Sequence, residues 1–295
     1  MIAERARWTW RRGLAPFRLR PTFLVIGAQK SGTTSLHRYL ADHPAVVCAV
    51  PKEVHYFDVY ADRSAAWYST HYPLRTRGAA IRSRTGVRPA VGEVTPCYLF
   101  HPRAAARVHA FDASLRLVAV LRNPVDRAYS QYQMQVRKRG ETLTFEEALA
   151  AEEDYIGPEL ERARSDPAYV SPLGFRRSYV ARGRYAEQLQ RWLALFRREQ
   201  VLVVTGEELW ASAAAVLRTV TSFLGVPAWE PERYPHQSGG THAPMAAETR
   251  EQLARLFEPE NRRLEQMLGR TLSWTRPSGE PRAAAAASRE VPAAS

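Results

Sequence analysis

The chain has 295 residues, 45% hydrophobic and 24% charged, which is ample for one large domain or two small ones and ordinary for a globular protein. No apolar run approaches the roughly 20 residues of a membrane span, and two cysteines, Cys48 and Cys97, exclude a disulfide framework or a cysteine-based zinc site. The net charge of +12 points to polyanions, acidic lipid headgroups or anionic small molecules; of 42 basic residues only Lys30, Lys52 and Lys138 are lysines, against 39 arginines.

Residues 1–20 form a basic arm with Trp8, Trp10, Leu14, Phe17 and Leu19 among arginines. The arm has no apolar h-region, so a cytoplasmic location is expected. It either packs on the domain or makes a peripheral membrane contact. Thr22 to Leu40 (TFLVIGAQKSGTTSLHRYL) then organises the chain. A buried strand ends at Gly27, a polar loop runs Ala28-Gln29-Lys30-Ser31-Gly32, and Thr33-Thr34 opens a helix with Leu36, Tyr39 and Leu40 on one face. Such a layout turns backbone N–H groups and a positive helix end toward an anion. The spacing from Gly27 to Gly32 fits the first half of a P-loop, but Thr-Thr follows where Lys-Ser/Thr is required, and the lysine sits inside the loop at 30. In a chain this rich in arginine, Lys30 and Lys52 read as places for a compact ammonium rather than a planar guanidinium.

A strand over Ala45–Val50 leads to Pro51-Lys52-Glu53-Val54-His55-Tyr56-Phe57-Asp58, a turn dense in ionisable and aromatic side chains. Ala90 to Pro96 is a short strand, and Leu115 to Leu121 a buried one ending at Arg122-Asn123-Pro124, where a helix begins. Arg127 and Arg137 on that helix read as solvated. A helix is expected over 144–153, followed to 178 by either a substrate-facing insertion or a surface excursion. Tyr179 to Phe196 has the pattern of one amphipathic helix, Val201–Val204 of a buried strand, Glu207 to Leu224 of a helix, and Thr249 to Leu268 of the last helix. The Ala/Ser/Pro-rich tail, 276–295, is expected to be disordered. Buried runs alternating with helices indicate an α/β domain over 21–275, a P-loop NTPase-like three-layer sandwich with a mostly parallel sheet. The strand ends near Lys30, Glu93 and Arg122 then meet at one sheet edge, where such folds bind ligands.

A nucleoside triphosphatase needs an acidic residue at a second strand end to hold Mg²⁺. Here that strand ends in Arg122, which calls for a further anion and no metal. GAQKSGTTSL resembles the 5′-phosphosulfate loop of sulfotransferases that use 3′-phosphoadenosine 5′-phosphosulfate (PAPS), and LRNPVDRAYSQY resembles their 3′-phosphate motif. KEVHYFD with GEVTPCYL is similar to the carbohydrate, heparan sulfate-type branch, and RGRYAEQLQRWLALF and FLGVP to its later helices, so that the resemblance spans about 22–270. It implies that Gln29, Lys30, Ser31, Gly32, Thr33 and Thr34 hold the 5′-phosphosulfate, and that Arg122 and Ser130 hold the 3′-phosphate. It further implies that Glu53 is the general base, with His55 its rival and Lys52 assisting at the sulfonate. Asp58, Glu93, Thr95 and Tyr98 are then expected to line the acceptor cleft. The implied reaction moves a sulfuryl group from PAPS to a hydroxyl or amine of a carbohydrate or small-molecule acceptor, without metal and without nucleic acid. Where animal members of the branch carry a Lys-Gly-Arg loop between cysteines, this chain has HQSGGTHAPM, whose Ser238–Thr241 backbone is the candidate substitute. The alternatives are a P-loop small-molecule kinase and a polyanion- or membrane-binding protein with a degenerate nucleotide site.

Overall fold

Five short apolar runs assemble into one sheet: β1 (Phe23–Gly27), β2 (Val46–Cys48), β3 (Ala90–Val94), β4 (Arg116–Leu121) and β5 (Val201–Thr205). Their order is β2-β3-β1-β4-β5 and all neighbours are parallel. The computed structural model describes residues 13–171, 175–234 and 243–274. Every residue of β1 and β3 is buried, as expected of parallel strands covered by helices on both faces. The helices among the described residues are α1 (Thr33–Asp42), α2 (Ala65–Ser69), α3 (Arg75–Thr85), α4 (Ala104–Phe111), α5 (Pro124–Arg139), α6 (Phe145–Ser165), α7 (Tyr185–Leu193), α8 (Gly206–Ala211), α9 (Ala213–Leu224) and α10 (Ala247–Leu268). Because the strands are parallel, the loops after β1, β2, β3, β4 and β5 all open on one edge. The central strand β1 lies between β3 and β4, so its loop occupies the middle of that edge.

Three helices differ from the sequence pattern, each for a local reason. The expected 144–153 helix continues to Ser165 through Pro158. Thr144 and Glu147 close a capping box at its start, and Ala148, Glu152, Glu159 and Ala163 are buried on both sides of the proline. The expected 179–196 helix is shortened to α7 and preceded by a 3₁₀ turn at Ala181–Gly183. Buried Glu152 accepts the N–H groups of Val180 and Ala181, both at 2.8 Å, which draws them out of a helix. Gly183 is required there, since a Cβ would lie 2.6 Å from the Phe257 ring. The 207–224 helix is broken at Ser212, whose side chain caps α9.

Arg127, read as solvated, is fully buried. It donates to Gln131 Oε1 at 2.7 Å and to the Tyr179 carbonyl, and burial lowers its pKa to about 10. Of the arm, residues 13–20 lie on the domain: the Leu19 N–H donates to the Pro73 carbonyl at 2.9 Å. Residues 1–12 of the arm, for which a peripheral membrane contact is one expectation, the tail at 276–295 and the Ser238–Thr241 substitute lie outside the described residues. No helix among the described residues is long and apolar enough to cross a membrane.

Candidate active site

The loop after β1 turns on two left-handed residues, Lys30 at φ 71° and Gly32 at φ 100°. Gly32 is the N-cap of α1 and no side chain caps the helix, so the first-turn N–H groups remain available to an anion. A Cβ at Gly32 would be strained by its φ and would press on Leu209. One expected contributor is already engaged: the Ser31 N–H donates to the Ala28 carbonyl at 3.3 Å, so the amide cradle contracts to Gly32, Thr33 and Thr34. Burial lowers the Lys30 pKa, assisted by the cations of Arg137, Lys138, Arg122 and Lys52. A half-buried ammonium in a field of cations suits a group that must meet phosphate.

Arg122, at the end of β4, closes the other side of the loop. Its Nη1 donates to the Lys30 carbonyl at 3.2 Å, its guanidinium lies 4.9 Å from the centre of the Trp210 ring, and its Nε is buried without a partner. Tyr185 fixes the backbone here by donating to the Arg122 carbonyl at 2.9 Å. Ser130 is half-buried on the second turn of α5. Trp210 escapes a motif reading because it comes from α8, far along the chain, and Tyr185 stands in the RGRYAEQLQRWLALF stretch without a site role assigned there.

The turn after β2 lies beside this loop. Lys52 Nζ donates to Thr34 Oγ1 at 3.3 Å and to Glu53 Oε1 at 3.0 Å, tying the two segments together. Glu53 Oε2 lies 3.5 Å from His55 Nε2, and His55 Nδ1 lies 3.0 Å from Asp58 Oδ2. The side chains thus alternate in charge from Lys52 to Asp58. Burial alone would raise the Glu53 pKa, but hydrogen bonding from His55 and Lys52 brings it down to about 2. Burial likewise opposes charge on His55, yet Asp58 and Glu53 raise its pKa to about 11. His55 is therefore an imidazolium with both nitrogens engaged, and Glu53 a carboxylate. His55 itself has φ 58°, so both non-glycine residues that turn these loops in the left-handed region belong to the site.

Glu93, Thr95 and Tyr98 do not line the cleft; each is at most 1% exposed and lies beneath the turn. The Glu93 carboxylate accepts from Tyr68 at 2.6 Å, Thr95 at 2.7 Å, Tyr98 at 3.0 Å and the Val54 N–H at 3.2 Å. Tyr98 Oη in turn accepts the Tyr56 N–H at 2.8 Å. The backbone on either side of His55 is thereby hung from one buried carboxylate. Glu93→Gln should destabilise the fold by about 2–4 kcal/mol, because an amide N–H₂ would face donors that now converge on the carboxylate. Urea unfolding of the variant against wild type measures this.

Beside Glu53 a cleft of about 420 Å³ opens, lined by Gln29, Glu53, His55, Asp58 and Cys97 together with residues of α5 and of the segment after α6. Asp58, 5% exposed, reaches it only beside His55. Of the segment following α6, Val170, Ser171, Phe175 and Arg176 lie on the cleft wall. Arg176 and Arg182 went unnoticed in the sequence because they are two among 39 arginines.

The model of the sulfotransferase domain matches residues 20–238. Heparan sulfate glucosamine 3-O-sulfotransferase 3B1 of Mus musculus is 30% identical over 278 residues, covering 86% of this chain. Bifunctional heparan sulfate N-deacetylase/N-sulfotransferase 2 of Bos taurus is 30% identical over 216 residues, covering 70% of this chain and 22% of its own. The chain spans about 65% of the length of the mouse relative. Among solved structures, a sulfotransferase from Alicyclobacillus acidocaldarius superimposes with a TM-score of 0.66 at 36% identity, covering 88% of this chain and 100% of that one. The family model covers most of the chain, and the chain belongs to the sulfotransferase family.

Proposed function

We propose that this protein transfers a sulfuryl group from PAPS to a hydroxyl of a carbohydrate-type acceptor, with Glu53 as general base. The observation that carries this reading is the ionised Glu53 held between Lys52, which reaches the glycine loop, and a cleft large enough for a sugar. The Gly32–Thr34 amides, Lys30 and Arg122 suit the phosphates of the donor: Arg122 keeps a buried, unpartnered Nε at this point. PAPS would supply the sulfuryl group. Glu53 takes the acceptor proton, while Lys30 and Lys52 carry positive charge toward the oxygens that become negative. The protonated His55 steadies Glu53 and is itself steadied by Asp58.

A carbohydrate acceptor is supported by the heparan sulfate-modifying relatives. Metal independence is supported by the donor set. Arg122, a fixed cation, follows β4 at the point where a metal-dependent nucleotide site carries a carboxylate. The free thiols of Cys48 and Cys97 support a reducing, cytoplasmic setting. The test is to incubate the full chain with PAPS and a panel of glycosides, with and without EDTA, and follow product mass. The expected result is an added SO₃ in both arms, together with heat stabilisation by 3′-phosphoadenosine 5′-phosphate (PAP). Phosphate transfer from ATP that stops with EDTA would instead establish a kinase.

A further inference from the structure

The helix α3 carries a surface that the transfer step does not use, since none of its residues lines the cleft. Its buried residues are Gly78 and Ile81; Gly78 makes room for Leu19, whose side chain would lie 2.8 Å from a Cβ there. Arg75 and Arg82 stand two turns apart on one flank of this buried stripe, Arg77 and Arg84 two turns apart on the other, and all four are exposed. Between the two rows the outermost face holds Thr76, Ala79, Ala80 and Ser83, small and exposed, so a flat partner can approach the helix with both rows of guanidinium groups reaching it. The charge is uncompensated. No aspartate or glutamate occurs between Asp62 and Glu93. Among the described residues none of Arg75, Arg77, Arg82, Arg84 and Arg88 forms an ion pair. Arg82 and Arg84 in the last turn complement the helix dipole, but Arg75 and Arg77 stand in the first turn, where the dipole disfavours cations and no acid is present. Cations kept at that end point to an external anion.

The same end of the helix exposes apolar side chains. Arg18 forms an antiparallel bridge with Leu74, the N-cap of α3, and Arg75 Nε donates to the Arg18 carbonyl at 3.4 Å. Phe17, 62% exposed, and Leu74, 36% exposed, thus lie at the start of the arginine rows. The sequence before Phe17 adds Trp8 and Trp10 with Arg5, Arg7, Arg11 and Arg12, and no acid occurs between Glu4 and Asp42. Arginines alone would suit any polyanion. Arginines beside exposed aromatic and aliphatic side chains suit a layer with charge at its surface and hydrocarbon beneath. We infer that α3 and the adjoining Phe17 dock the protein on an anionic lipid bilayer, the arginine rows on the headgroups and Phe17 and Leu74 in the interface below them. The contact engages neither the glycine loop nor Glu53, so it stands independently of the sulfuryl-transfer reading.

Co-sedimentation of the full chain with phosphatidylcholine vesicles, with and without phosphatidylglycerol, tests it. The anionic vesicles should be bound about 10-fold or more tightly than the neutral ones, and less so as salt is raised. Arg77→Gln with Arg84→Gln, which removes one row, should weaken binding about 10-fold or more. Phe17→Ser should weaken it about threefold or more. Arg255→Gln with Arg262→Gln removes the same charge from the exposed face of α10 and should leave binding unchanged. All five substituted side chains are exposed, so the fold does not depend on them. No binding to anionic vesicles, or equal binding to neutral ones, overturns the inference. So does wild-type binding by the α3 double variant, which would leave the contact to residues 1–12 alone. An equal loss in the α10 control would mean that net charge and not this surface is read, and Phe17→Ser that binds as the wild type does would make the surface a site for soluble polyanions; either result also overturns it.

Discussion

Glu53→Gln should bind PAP as the wild type does, within about twofold, and lose about 10³-fold in turnover. The substitution keeps size and shape and removes only the negative charge, so the Lys52–Thr34 contact that joins the turn to the loop persists. A carboxylate whose pKa lies near 2 is a weak base in the resting site. That value reflects Lys52 and His55 leaning on it, and the proton it takes comes from a hydroxyl that becomes strongly acidic as the sulfuryl group adds. Charge argues against the alternative base. Asp58 and Glu53 raise the His55 pKa to about 11 and engage both of its nitrogens, which disfavours it as a proton acceptor. His55→Ala should therefore lower turnover less than Glu53→Gln, by releasing the carboxylate from its position. Paired measurements of PAP affinity and steady-state turnover check both. Full activity in Glu53→Gln with loss in His55→Ala would hand the role to His55.

The sheet and the glycine loop were legible in the sequence because their signal is local. A run such as Phe23–Gly27 can be buried on both faces only as a central parallel strand, and Gly27 to Gly32 is too costly a spacing for a plain connector. Long-range partners were not legible. Glu152 delays the start of a helix by accepting N–H groups from residues 180 and 181. Arg127 is buried because a carbonyl and an amide on other turns receive its protons. Glu93 was misplaced for a related reason. In a strand covered on both faces, alternation no longer separates inside from outside, so a carboxylate one residue before the strand end reads as a site residue. The same burial makes it the anchor of the turn that carries Glu53. The candidate stretch could thus be found by motif, while what holds it in place could not.

Lys30→Ala should lower turnover by about 10²–10³-fold, and Lys30→Arg should not restore it. Lys30 sits at φ 71° in a loop whose own carbonyl is held by Arg122, so its side chain leaves the backbone in a fixed direction. Burial and four neighbouring cations lower its pKa, which brings its proton closer to transfer when a phosphate oxygen takes on charge. A guanidinium would be too broad for this half-buried position, would not give up a proton, and would stand against Arg122 at close range. Alanine has the same Cβ in the same left-handed backbone and removes one member of a crowded set of like charges, so the unfolding midpoint of Lys30→Ala should stay at or above that of the wild type. That combination, a fold no weaker and a reaction nearly lost, separates a chemical role from a structural one. A variant that unfolds early would mean that Lys30 holds the loop, and turnover recovered by Lys30→Arg would mean that any cation serves.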